Sequence, residues 1–138
     1  MPGIETTEAD SISEPAIADL VRRFYGKARL DPLIGPLFNE AVDDWDEHFE
    51  KLADFWSSVM LTSGRYKGNP MRAHLKHKRI TPEFFTRWLQ LWHETTREVF
   101  GPEIAAQFGF KAERIAESLQ LALFYRPDAF PIRRTASV

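Results

Sequence analysis

The sequence predicts an all-α domain. Four long stretches repeat apolar residues at helical spacing, and no segment alternates with period two over a strand's length. Prolines and glycines gather between the periodic stretches. A chain of 138 residues, 43% apolar and 13% aromatic, is the size of one domain and can fill one core.

The first helix has Ser13 as N-cap and Pro15 in its first turn, and Ile17, Leu20, Val21, Phe24 and Ala28 then line one face to about Leu30. The two prolines and one glycine of "LDPLIGPLF" imply a bend or short turn. "DDWDEHFEKLADFWSSVM" supplies a second helix from about Asp43 to Leu61. Trp45, His48, Leu52, Phe55 and Val59 share its apolar face, opposite Asp46, Glu47, Glu50, Asp54 and Ser57. "TSGRYKGNP" breaks it, and a short helix or extended turn follows from Pro70 to about His77.

Thr81 and Pro82 start a third long helix, whose face carries Phe84, Phe85, Trp88, Leu91, Trp92 and Val99. "GP" at 101 and 102 ends it. A fourth runs to about Tyr125 with Phe108, Ala112, Ile115, Leu119, Ala122 and Leu123 inward, interrupted at Gly109. The division expected is a polar segment 1–12, a folded domain 13–126 and a flexible tail 127–138.

Composition narrows the chemistry. With 18 basic and 20 acidic residues intermixed and a formal charge of −2, the chain offers no electrostatic grip on nucleic acid. No run of about 18 apolar residues marks a membrane span, and the acidic start lacks a secretory apolar core, so a cytoplasmic protein is expected. The absence of cysteine excludes disulfides, thiolate metal sites, iron–sulfur clusters and covalent haem attachment. Any cofactor is held non-covalently.

Four histidines remain as candidate ligands. His93 sits beside Glu94 and the Thr95–Thr96 pair, and His77 lies among bases in "LKHKR", both readings favouring solvated positions. His48 and His74 share their surroundings with a surplus of large rings, including Phe24, Phe38, Phe55, Trp56 and Trp88. The apolar faces also carry the Tyr25 hydroxyl, the Trp88 indole N–H and the His48 imidazole, and buried polar groups need partners. A di-iron bundle calls for Glu-x-x-His pairs, but Trp45, Met71, His74 and Gln90 stand three before the histidines. His74-x-x-His77 alone is a weak start for zinc. A flat apolar cofactor with a metal-borne polar ligand suits these faces better, and haem takes one axial histidine opposite a pocket of donors.

Taken in order, "LVRRFYGKARLDPLIGPLF", "DDWDEHFEKLADFWSSVML", "YKGNPMRAHL" and "PEFFTRWLQLW" resemble the truncated haemoglobins, and among them the third group. The resemblance covers about Ile17 to Phe124 and implies a two-over-two helical globin around haem b. It places His74 as proximal iron ligand, and Tyr25, His48 and Trp88 as the distal pocket. Phe38, Leu52, Phe55 and Trp88 would contact haem. Asp31, Pro32 and Phe38 match the group's pattern before the second helix, whereas the Gly-Gly pairs of the first two groups are missing.

Lys51, Arg72, Lys78 and Arg79 are the candidates for the haem propionates. The resemblance implies diatomic gas ligands, namely O2, CO and NO. Slow ligand release through the Tyr25 and Trp88 donors would suit chemistry or sensing better than oxygen transport. The alternatives are an enzyme that detoxifies nitric oxide or peroxide with a reductase partner, and a haem-free helical interaction module.

Overall fold

The computed structural model describes residues 11–69 and 80–124. The expected short helix from Pro70, the C-terminal tail and most of the N-terminal segment lie outside them. Within the described residues the chain is helical and contains no strand: α1 (Glu14–Ala28), α2 (Gly35–Ala41), α3 (Trp45–Leu61), α4 (Pro82–Val99) and α5 (Pro102–Phe124). None is long and apolar enough to cross a membrane.

The caps explain the boundaries. The side chains of Ser13, Asp44 and Thr81 accept from the backbone N–H groups of Ala16, Glu47 and Phe84, filling donors that the first turns of α1, α3 and α4 leave open. At the end of α3, Thr62 turns into the left-handed region at φ 53° and donates its N–H to Ser58. A seven-residue helix, α2, occupies part of the segment expected to bend; it has no side-chain cap.

Helix α1 packs on α3 and α4, and α4 also packs on α5. Ile17, Leu20, Val21, Phe24 and Ala28 are buried, as the helical spacing of α1 requires. The centre is aromatic: Trp92 stacks on Trp56 at 4.5 Å and 22°, and on Trp88 at 5.7 Å and 4°. Its indole N–H donates to the Phe108 carbonyl at 3.2 Å, which satisfies a polar atom that burial would otherwise penalise.

Several placements differ from the sequence reading. Ser57, assigned to the solvent face of α3, is fully buried and donates to Glu14 at 2.7 Å. Helix α5 runs unbroken through Gly109, because His93 of α4 lies across it: a Cβ there would stand 2.7 Å from the imidazole ring. His93 also meets Glu113 at 3.0 Å, so it clamps α4 to α5 and is not simply solvated. Ala122 is exposed, and Ala105 and Ala116 take inward positions on that helix.

The turn from α1 to α2 depends on Asp31. Its carboxylate accepts the N–H groups of Leu33 and Ile34 at 3.0 and 3.1 Å and the Arg87 Nε–H at 2.7 Å. Gly35 completes the turn, since a Cβ there would lie 2.6 Å from the Arg29 carbonyl oxygen. Burial raises the Asp31 carboxyl, but the Arg87 hydrogen bond, the two backbone donors and the Arg87 charge outweigh it and hold it below the usual carboxylate range.

A carboxyl lowered in the folded state contributes stability above its unfolded pKa and loses it as pH falls through the folded value. Asp31→Asn should therefore cost about 1–3 kcal/mol at neutral pH. Urea unfolding of both proteins from pH 7 down to pH 2 should show this difference shrinking in the acid range. An unchanged gap at all pH values would mean that the Asp31 charge does not hold the turn.

Candidate functional site

Beside the aromatic centre lies a cavity of about 540 Å³, inside the range usual for small-molecule and cofactor sites. Every described helix contributes to its wall. Tyr25 comes from α1, Leu37 and Phe38 from α2, and His48, Leu52, Phe55 and Trp56 from α3. Phe84, Phe85 and Trp88 come from α4, and Ile115, Ala116 and Leu119 from α5. Asp43, Asp44, Glu47 and Lys51 add charged groups near the start of α3.

Six of the seven residues expected from the sequence thus line one space: Tyr25, Phe38, His48, Leu52, Phe55 and Trp88. The seventh, His74, lies outside the described residues, as do His77 and the propionate candidates Arg72, Lys78 and Arg79. Lys51, the remaining propionate candidate, is on the wall. Tyr66 and Ile80 also line the cavity and were given no site role by the sequence. Tyr66 was legible only as part of the "YKGNP" stretch. Its placement depends on its N–H donating to Ser58 Oγ at 2.9 Å, a contact between α3 and the segment after it that no periodicity reveals.

Tyr25 is the hub of the site. Its ring meets Phe38 at 5.2 Å, His48 at 5.4 Å and Phe24 at 4.8 Å, all within about 10° of perpendicular. The side chain is 5% exposed. Burial pushes the phenol well above the ordinary tyrosine range, and the neighbouring Trp88 indole draws it only partly back. The His48 Nε2 is likewise shielded from solvent. A neutral hydroxyl, an indole N–H and an imidazole therefore share one cavity with Phe38, Leu52 and Phe55, and where burial lowers the local dielectric a hydrogen bond is electrostatically stronger than in water. Among the described residues no group of three His, Cys, Asp or Glu side chains could hold a metal ion.

The walls have the composition of a site for a flat apolar group. Phe38, Leu52, Phe55 and Trp88 are only half-buried despite facing inward. A group filling the cavity would remove that surface from water at about 25 cal/mol per Å².

The comparisons agree with this architecture. Over 119 residues the chain is 34% identical to the group 3 truncated haemoglobin ctb of Campylobacter jejuni, an alignment covering 83% of this chain and 94% of that protein. The crystal structure of the group III truncated haemoglobin from Campylobacter jejuni matches it with a TM-score of 0.81 at 34% identity, covering 86% of this chain and 96% of that one. No protein-family profile matches the chain. The chain belongs to the truncated haemoglobins, in their third group.

The elevated Tyr25 phenol has a consequence at alkaline pH. A group whose folded pKa is raised contributes stability fully below its unfolded pKa, about 10 for tyrosine, and loses it as pH rises toward the folded value. In an ultraviolet difference titration, Tyr25 should ionise after Tyr66, and only as the fold is lost. Tyr25→Phe should remove that last step. Loss of an early step on this substitution would show that the hydroxyl is open to water.

Proposed function

We propose that this chain binds haem b non-covalently, with His74 as the axial protein ligand, and takes O2, CO and NO in the enclosure between Tyr25, His48 and Trp88. The observation carrying the reading is the convergence of Tyr25, His48 and Trp88 on one cavity whose wall is rich in aromatic rings. The membership of the chain in the truncated haemoglobins supports the same cofactor. Phe38, Leu52, Phe55 and Trp88 would hold the ring system by contact, and Lys51 stands where a carboxylate side group could pair with it.

Haem, when bound, supplies the iron to which a diatomic ligand attaches. The protein's part is to choose and retain that ligand. Tyr25 and Trp88 donate to a ligand that carries partial negative charge, and each such bond is worth about 1.5–3 kcal/mol. His48 stands on the α3 side of the enclosure and acts as its gate, since the other two already provide donors. The surrounding rings exclude water, which would compete for the same donors. Turnover of nitric oxide or peroxide would draw on the same donors, but it needs an external reductant, so the reading stops at ligand binding.

His74→Gly should yield a protein that loses haem or takes up added imidazole, read from absorption spectra of the oxidised, reduced and CO forms. If His74→Gly keeps its spectrum while His77→Gly loses it, the ligand is His77.

Tyr25→Phe deletes one donor and almost no volume. O2 dissociation measured by stopped flow should accelerate roughly 10- to 150-fold, while CO, which carries little charge, responds far less. Equal acceleration of both gases would assign Tyr25 a steric role instead.

A further inference from the structure

Next to His48 stands a second pair of residues, Trp45 and Arg29, that do not line the cavity and that the ligand-binding reading does not use. Trp45 opens α3 and is not among the residues that line the cavity. Its ring meets the His48 imidazole edge-on at 5.5 Å and 90°, and the Tyr25 ring at 5.8 Å. The guanidinium of Arg29 lies over the Trp45 face, 4.3 Å from the ring centroid.

Arg29 reaches across from a fixed base. It is the C-cap residue of α1, its N–H donates to the Tyr25 carbonyl at 3.0 Å, and its own carbonyl accepts from Asn39 of α2 at 3.0 Å. The backbone that carries the guanidinium is therefore held by two helices, and the side chain spans to a third.

Side chains of a helix lean toward its N-terminus, so His48 lies over the turn that begins with Trp45. The imidazole rests edge-on against the Trp45 ring, so moving it disturbs that contact. We propose that Arg29 and Trp45 form a latch that positions His48 across the ligand entrance, and that the latch, more than His48 itself, sets how large a ligand can enter. The cation held on the indole face resists displacement of the ring, because moving Trp45 aside forfeits the cation–π contact as well as the edge contact with His48. Arg29 and Trp45 are positioning residues and touch neither haem nor ligand. The proposal rests on the reading of His48 as the gate.

The test compares association rates of CO and n-butyl isocyanide, by flash photolysis of the haem-loaded protein, for wild type, His48→Ala, Trp45→Ala, Arg29→Met and Arg29→Lys. Trp45→Ala should speed the isocyanide at least about tenfold more than CO. Arg29→Met should speed it about two- to fivefold, the span an exposed cation–π contact supplies. Arg29→Lys, which keeps a cation for the ring, should stay near wild type. Arg29 is exposed, so its variants keep the test open should Trp45→Ala fail to fold.

A structural readout accompanies the rates. With carbon-13-labelled histidine in the CO form, the His48 ring signal, identified by its loss in His48→Gln, should broaden in Trp45→Ala and Arg29→Met and not in Arg29→Lys. If His48→Ala speeds the isocyanide while Trp45→Ala and Arg29→Met leave rates and signal unchanged, the latch is wrong and the gate stands. If His48→Ala changes neither rate, the gate reading fails and the latch with it.

Discussion

The stack of three indoles decides the geometry of everything around it. Trp92 is almost wholly buried between Trp56 of α3 and Trp88, its neighbour one turn earlier on α4. Flat rings held near-parallel at 4.5 and 5.7 Å cannot be compressed without losing contact or overlapping, so the stack keeps α3 and α4 apart at a set separation. Trp56 and Trp88 also line the cavity. Phe24 joins the same stack edge-on at 5.1 Å from Trp92, and the next residue along α1 is Tyr25. The rigid part of the core thus ends where the reactive part of the site begins.

That adjacency matters for the chemistry of the donors. A hydroxyl on a mobile side chain would lose rotamer entropy on meeting a ligand, whereas Tyr25 is already fixed by Phe24, Phe38 and His48 on three sides. Its phenol stays neutral and can donate, because burial opposes the charged form more than the Trp88 indole favours it. The same indole that lowers the phenol lines the cavity beside it. The packing of the core and the lining of the cavity are therefore carried by shared residues, and a substitution in one affects the other.

The long helices and six of the residues that line the cavity were legible in the sequence for a common reason. Capping residues at Ser13, Asp44 and Thr81, and apolar spacing along fifteen or more residues, are local signals that tertiary contacts reinforce. Tyr25, His48 and Trp88 stood out because each is a polar atom on an apolar stripe. What was not legible depends on distant partners. The helical form of α2 is seven residues with a proline and no side-chain cap, held by Asp31 and the close approach of Gly35 to Arg29. Ser57 reads as solvent-facing until Glu14, forty-three positions away, supplies an acceptor. Gly109 reads as a break until the His93 ring is found across it.

The Asp31–Arg87 pair shows how such distant contacts reach the cavity. Asp31 ends the turn that launches α2, and Arg87 lies on α4 beside Trp88. Phe38, carried by α2, meets Tyr25 at 5.2 Å and Phe84 of α4 at 5.5 Å, so its ring bridges the two helices across the cavity wall. Without the ion pair, α2 would rest on α4 through Phe38 and its neighbours alone, since its own seven residues are too few to be stable as an isolated helix. Arg87 is 40% exposed on its side chain while Asp31 is 3% exposed, so the acid is the desolvated partner. Its backbone donors and the arginine together must offset that burial. The wall that α2 supplies therefore depends in part on one buried carboxylate outside the cavity, coupling the shape of the cavity to a residue that does not line it.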